Sequence, residues 1–301
     1  MTRPTTLVVL ARTRRGTTQR LLRAARARGL SPRFLDPAAC TAYVDGQRSR
    51  LLHRGKRVGE VELVVPRLRT VSSHALAVLH HLETAGAHVL NSAEAISRAS
   101  HPMHALQLLA HHGIDVSRTV VGRDARGVRR LIEWVGGLPV RLGVLRGGER
   151  RATVICETPH SLEAALEVLF RLGQDILVQR YLHAPSERDV RVLVVGGHVV
   201  CGVRRIPQPG RLARAIEPGT RYESIPLSSK LVEVAEATAR LLGLGVVAVD
   251  MLDRDDHPRV FEVDAAPALL ALEKATGRDL AGTIVEAAVS EGSRWAVSAP
   301  C

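Results

Sequence analysis

The chain has 301 residues, 46% apolar and only 3% aromatic, which describes a globular protein of roughly two domains, or one large α/β unit, with a core of Leu, Val, Ala and Ile. No run approaches the ~20 apolar residues of a membrane span, and the apolar part of the N-terminus is too short for a signal peptide, so the expectation is a cytoplasmic protein with no membrane partner. The net charge is +12 with just three lysines, Lys56, Lys230 and Lys274, so the basic excess is almost all arginine.

Short apolar strands alternate with helices over the first ~90 residues, the pattern of a parallel sheet. Strands are predicted at 6–10, 32–36, 62–66 and 88–90, with helices at 17–28 and 73–85. Helices at 93–98 and 103–112 follow, the second ending at Gly113. From 119 to about 182 a smaller unit is predicted, with helices at 128–135 and 162–172 and strands at 139–145, 152–156 and 176–179. A hairpin over 189–195 and 199–206 turns at Gly196-Gly197, and a loop rich in Pro, Gly and Arg spans 207–220. A helix at 231–242, two strands and a last helix at 280–288 complete the chain. These changes of pattern suggest units at 1–92, 93–182 and 183–301.

The two late strands carry the strongest chemical signal. Val249-Asp250-Met251-Leu252 and Val260-Phe261-Glu262-Val263-Asp264 bring three carboxylates to one place, the way a protein seats Mg²⁺ against nucleotide phosphates. Such a site needs cations on its phosphate side as well, yet residues 57–229 contain no lysine. Cys40, Cys156, Cys201 and Cys301 show no metal-ligand spacing and read as inert thiols. His101, His104, His111 and His112 gather near one helix, but His104 and His111 stand two turns (~10 Å) apart, so solvated histidines are expected there.

The order of elements, with Leu35-Asp36-Pro37, Pro66-Arg67, Leu90-Asn91-Ser92, Gly113-Ile114-Asp115, Ile176-Leu177-Val178-Gln179, Asp189-Val190-Arg191 and Glu273-Lys274-Ala275-Thr276-Gly277, closely resembles the RimK-type ligases of the ATP-grasp superfamily. The resemblance runs end to end. It implies an α/β protein with the ATP-grasp fold: two α+β lobes clasping ATP and Mg²⁺ (or Mn²⁺), behind an N-terminal parallel-sheet pre-ATP-grasp domain. It also implies an acylphosphate formed on a carboxylate before an amine, such as glutamate, attacks it.

Carried over position by position, Asp250 and Glu262 match metal carboxylates, and Asp264 stands where the family usually has Asn. Asp189 matches a nucleotide-contacting acid, with Arg191 and Arg205 as basic positions that would serve catalysis. Gln179, Arg180, Tyr181 and Leu182 lie where a hinge contacts adenine, with Arg180 replacing an acid. The phosphate side departs from the pattern: Gly143 and Pro102 fall on the expected lysines, and the glycine-rich loop becomes Arg146-Gly147-Gly148-Glu149-Arg150-Arg151. The family's Arg and Asn fall on Ala213 and Ala215, and its Ser-Pro-Gly on Ala266-Pro267-Ala268. Arg141 shares a strand face with position 143 and offers a replacement cation for ATP.

Two readings follow. In the first, the chain is a ligase homologue with a degraded ATP site, a pseudoenzyme that binds an acidic peptide or protein through a cleft lined by Arg67, Arg69, Arg191, Arg204, Arg205 and Arg214. In the second, it is a working ATP- and Mg²⁺-dependent carboxylate–amine ligase with arginines in place of lysines. A nucleic-acid partner is disfavoured because aromatic platforms are scarce. The oligomeric state stays open.

Overall fold

Thr6–Ala11 is buried at every position, as a strand covered on both faces must be, and it is central in a four-stranded parallel sheet. In this computed structural model the described residues are 4–122, 128–146, 149–181, 188–206, 221–254 and 257–298. Ser31–Leu35 lies on one side of the central strand; Leu63–Arg67 and then His88–Val89 lie on the other. Val8, Leu10 and Val64 pack against Val78, Leu79 and Leu82 of the helix Ser73–Thr84. Leu7, Val9 and Val65 pack on the opposite face, against Leu21 and Ala25 of Thr17–Ala27 and against Ile284 and Val285 of Leu280–Ser298.

A small antiparallel sheet, Cys40–Asp45, Arg48–His53 and Lys56–Arg57, follows the second strand and is absent from the sequence reading. Most of its side chains are exposed, so it leaves little apolar alternation to detect. Its only signals are turn residues: Gly46, at φ +54, closes the first hairpin, and Arg54-Gly55 the second. The helix Leu269–Thr276 and the strand Arg221–Ser224 are also additions to the sequence reading.

The central sheet is antiparallel, in the order Glu149–Cys156, Val140–Arg146, Asp175–Arg180, Thr119–Gly122. One face carries Val140, Leu142, Ile176 and Val178 against Leu131, Leu162 and Leu166 of the helices Val128–Val135 and Pro159–Arg171. Alternation sends Arg141 and Gln179, paired in register, to the other face.

The last sheet has five antiparallel strands, in the order Arg221–Ser224, His198–Ile206, Arg188–Val195, Val246–Arg254, His257–Asp264. Val190, Val192, Val247, Val249 and Met251 face Leu231, Val234 and Ala235 of the helix Ser229–Leu242. The opposite face is split. Leu193, Val195, Val203 and Val246 join the core shared with the N-terminal helices, while the far end of the same face presents charged side chains.

Two polar ties fix these parts to each other. Asn91 is buried; its amide donates to the Val246 carbonyl at 2.7 Å and to the Ala265 carbonyl at 3.2 Å, and its oxygen accepts from Val246 N at 2.7 Å. Arg20, on the first helix, grips Glu273 through two hydrogen bonds of 2.9 and 3.1 Å. Both Asn91 and Glu273 belong to the motifs that carried the family resemblance, and here their work is structural.

Candidate active-site cleft

The charged end of the five-stranded sheet is a product of strand register. Arg191 lies opposite Asp250, which lies opposite Glu262 on the next strand; Ala248 pairs with Asp264, and Arg205 with Tyr222. Period-two alternation puts Asp189 and Arg191, Arg205, Asp250, and Glu262 and Asp264 on one face. The central sheet contributes Arg141 and Gln179 from across the cleft.

Arg191 and Asp250 form the centre. Arg191 Nε donates to Asp250 Oδ1 at 2.7 Å and Nη2 to Oδ2 at 2.6 Å, a two-pronged contact between side chains 1% and 0% exposed. Burial alone would push the Asp250 carboxyl up. The charge and hydrogen bonds of Arg191, with Arg205 and Arg141, outweigh burial and hold it below the usual carboxylate range. Burial likewise pulls Arg191 down, but Asp250 more than restores it, and its pKa stands above the ordinary value.

The other groups extend this pair. Arg191 Nη1 stands 3.5 Å from Asp264 Oδ2, and Asp264 Oδ1 accepts from Ala266 N at 2.9 Å. Arg141 lies 3.5 Å from Glu262 Oε2, donates to Gln179 Oε1 and sits over the Phe261 ring. Burial lowers Arg141 to about 10, so it stays charged at neutral pH. Gln179 in turn donates to Thr119 Oγ1 at 2.9 Å and to the Phe261 carbonyl at 3.3 Å.

Arg205 Nη1 donates to Asp189 Oδ2 at 2.9 Å, and its Nη2 lies 3.5 Å from Asp250 Oδ1. Its Nε and Nη2 are buried and have no hydrogen-bond partner among the described residues. Burying such donors without partners is costly unless something else satisfies them, so an oxygen acceptor of a ligand fits there. Arg67 is buried near Asp264 and donates to the carbonyls of Ala266 and Pro267 at 2.8 and 2.5 Å. Burial brings its pKa down to about 10, against a raising pull from Asp264.

The three carboxylates expected to hold a metal are thus brought together, each with an oxygen already engaged by a guanidinium group or a backbone N–H. Among the described residues no three His, Cys, Asp or Glu side chains are disposed to hold a metal ion. A divalent ion does not fit this arrangement without displacing Arg141 or Arg191, since a hard cation needs several free oxygens at once.

Of the adenine-side residues, Gln179 and Tyr181 are buried, Arg180 is exposed and turned out of the cleft, and Leu182 lies outside the described residues. The Tyr181 N–H is already bonded to the Pro139 carbonyl at 2.8 Å. The side chains of Arg146, Arg150 and Arg151, with Gly147, Gly148, Ala213, Arg214 and Ala215, also lie outside the described residues. Pro102 opens its helix as first residue, and Gly143 pairs with Leu177 and Thr153 in the central sheet. Among the arginines expected to line an open cleft, Arg67, Arg191 and Arg205 are buried in internal contacts, while Arg204 points away to pair with Glu223 at 2.6 Å.

What Arg67, Thr119 and Phe261 do is not visible in the sequence, because each acts through a contact with residues far along the chain. The histidines behave as expected of a helix surface: His101 caps the helix Pro102–His111 and stacks on His104. Cys40, Cys156 and Cys201 are free and buried, with burial lifting Cys40 and Cys201 to about 11.

Comparison with known proteins identifies the family and the fold. Residues 6–96 match the RimK PreATP-grasp domain and residues 99–288 the RimK-like ATP-grasp domain. A probable alpha-L-glutamate ligase of Aeromonas salmonicida (strain A449) is 33% identical over 290 residues, 96% of this chain and 97% of that protein. The solved ATP-grasp ligase PsnB, complexed with minimal precursor, superposes with a TM-score of 0.75 at 23% identity, covering 95% of this chain and 99% of its own. PsnB complexed with precursor peptide PsnA2 and AMPPNP gives 0.71 at 23% identity, covering 96% and 98%. This chain belongs to the RimK-like ATP-grasp family.

Proposed function

We propose that this protein grips an acidic or carboxylate-ended peptide in the cleft and turns over nucleotide weakly or not at all. The observation that carries the reading is Arg205, buried beside Asp189 and Asp250 with two guanidinium donors unused among the described residues. A peptide carboxylate placed there meets a fixed, desolvated cation, the setting in which a charge-assisted hydrogen bond is strongest. The name of the Aeromonas relative, a glutamate ligase, and the precursor peptide held by PsnB support a peptide with acidic groups as the partner. Weak nucleotide handling is supported by Gly143 and Pro102 at the expected lysine positions and by the engagement of Asp250, Glu262 and Asp264 with arginines and backbone. Losing one preorganised donor typically costs on the order of 10²–10³ in rate, and two are replaced here.

A second reading rests on Arg141. It is a buried cation on the cleft face of the strand that carries position 143, two residues from the expected lysine, and this supports a part for it in holding a phosphate. On this reading the protein is an active ligase that joins an amino acid to a peptide carboxylate. Bound ATP would supply the activation of that carboxylate, and Asp250, Glu262 and Asp264 would be open to Mg²⁺ only once Arg141 or Arg191 gives way. The chain's own part is then to orient the acceptor with Arg205 and to screen charge with Arg141 and Arg191.

One calorimetric experiment separates the two. The full chain is titrated with a tetraglutamate peptide and, separately, with Mg·ATP and Mg·ADP. The first reading expects saturable peptide binding, weakened about tenfold or more by Arg205→Gln, with ATP bound weakly and ADP no worse. Micromolar Mg·ATP affinity that disappears in Arg141→Ala overturns it in favour of the active ligase.

A further inference from the structure

A second cationic site adjoins the cleft. A hollow of about 610 Å³ opens where the start of the strand Thr119–Gly122 and the end of Asp175–Arg180 meet the hairpin of Val246–Arg254 and His257–Asp264. It is lined by Arg118, Arg180, Arg254, Arg259 and His257, with Asp115 at its edge already paired to Arg259 at 3.1 Å. This is a volume suited to a small ligand.

Three features make it more than a charged surface. Arg118 and Arg180 converge on one point: a Cβ added at Gly136 would meet Arg118 Nη1 at 3.4 Å and Arg180 Nη1 at 3.7 Å. Gly136, at φ +89, follows the helix Val128–Val135, and the lack of a side chain there leaves room for both guanidinium groups. Neither arginine has a carboxylate partner among the described residues, so the two like charges near Gly136 are left uncompensated there. Finally, Ser117 lines the same hollow and is 8% exposed, yet its hydroxyl has no hydrogen-bond partner among the described residues. The backbone fixes it there: Ser117 N donates to the Val260 carbonyl at 2.8 Å, and Val260 N donates to the Asp115 carbonyl at 2.9 Å.

Converging guanidinium groups and a buried hydroxyl donor together ask for clustered anionic oxygens. We infer that this hollow is a binding site for a compact polyanion carrying phosphoryl or clustered carboxylate groups. It adjoins the cleft, because Leu252 and Arg254 share the sheet face of Asp250, but its cations are not those of the cleft: Gln179 turns towards Arg141, while its neighbour Arg180 turns towards Arg118. The inference does not depend on what the cleft binds.

The test is calorimetry on the full chain at physiological salt, with inorganic pyrophosphate and citrate as probes. The expectation is saturable binding of one of them at one site per chain. Arg118→Ala with Arg180→Ala should weaken it about tenfold or more, and Ser117→Ala by a smaller factor. Arg14→Ala with Arg15→Ala removes the same charge from an exposed stretch and should leave affinity within about twofold. Stronger binding of pyrophosphate identifies a phosphoryl ligand, and stronger binding of citrate a polycarboxylate. Because Arg118 and Arg180 are exposed, their double variant should fold, and the probe should raise the melting temperature of the parent but not of that variant. No saturable binding of either probe overturns the proposal, as do equal losses in the two double variants. Loss on Arg141→Gln with the hollow intact also overturns it, because the anion would then sit in the cleft.

Discussion

The two ends of one sheet face solve opposite problems with the same geometry. At one end Leu193, Val195, Val203 and Val246 are buried against helices from the N- and C-terminal parts of the chain. At the other, two to four residues along the same strands, Arg191, Arg205 and Asp250 are buried just as deeply. The apolar end gains stability from removing hydrocarbon from water. The charged end must first overcome the desolvation of each ion, and it holds together because every charge there has an opposite within reach. Stability at the apolar end is therefore spread over many small contacts. At the charged end it is concentrated in a few partners that cannot be removed singly.

Arg191→Met tests that difference most severely. It leaves Asp250 buried with its main partner gone, and the unfolding free energy in urea should fall by about 3–5 kcal/mol. Adding Asp250→Leu should restore much of the loss, since replacing both ions by apolar groups is often neutral. A double variant no more stable than Arg191→Met would mean that the pair also organises Arg205, Asp264 and the rest of the cleft.

Val203→Ala probes the apolar end at the position directly across the strand from Arg191. It removes two buried methyl groups and should cost about 2 kcal/mol, with no rescue available from any partner. A much larger loss would show that Val203 also shields the Arg191–Asp250 pair from water.

Acid should separate the two ends without mutation. The folded Asp250 carboxyl is held below its unfolded pKa of about 3.9. Its contribution is therefore complete above about pH 4 and is lost as pH falls through the depressed folded value. Urea midpoints of the parent should drop below pH 4 more steeply than those of the Arg191→Met, Asp250→Leu variant. Parallel acid limbs would assign the acid sensitivity to other carboxylates.

The sequence made most of this architecture visible, for physical reasons that particular elements illustrate. The helix Val128–Val135 and the strand Thr6–Ala11 have strong periodicity or continuous burial, and both stand where the pattern places them. The exposed three-stranded sheet over Cys40–Arg57 has neither, and only its turns hinted at it. In the cleft, Asp250 and Glu262 were legible as neighbours because adjacent strands with short connections pair. That Arg191 and Arg141 would cover them was not legible, since it depends on the register of one sheet and the approach of another. That Arg180 faces away from Gln179 follows from strand alternation, but that it meets Arg118 there could not be seen, because the packing at Gly136 decides it.

The smallest expected effect comes from the dipeptide Arg204-Arg205, which reads in sequence as one cationic patch. Adjacent residues on a strand face opposite ways, and here they live in different environments. Arg205 is 2% exposed by side chain and touches Asp189 and Asp250; Arg204 is 46% exposed and pairs with Glu223, itself 51% exposed. An exposed ion pair is weakened by solvent and by the entropy of ordering two long side chains, so Arg204→Ala should change stability by less than about 1 kcal/mol. It should also leave tetraglutamate affinity near the parent value, whereas Arg205→Gln weakens it. Both outcomes can be read from one urea titration and one calorimetric titration per variant. If Arg204→Ala weakened the peptide as much as Arg205→Gln, diffuse positive charge would account for binding, and the buried donors of Arg205 would lose their assigned part in it.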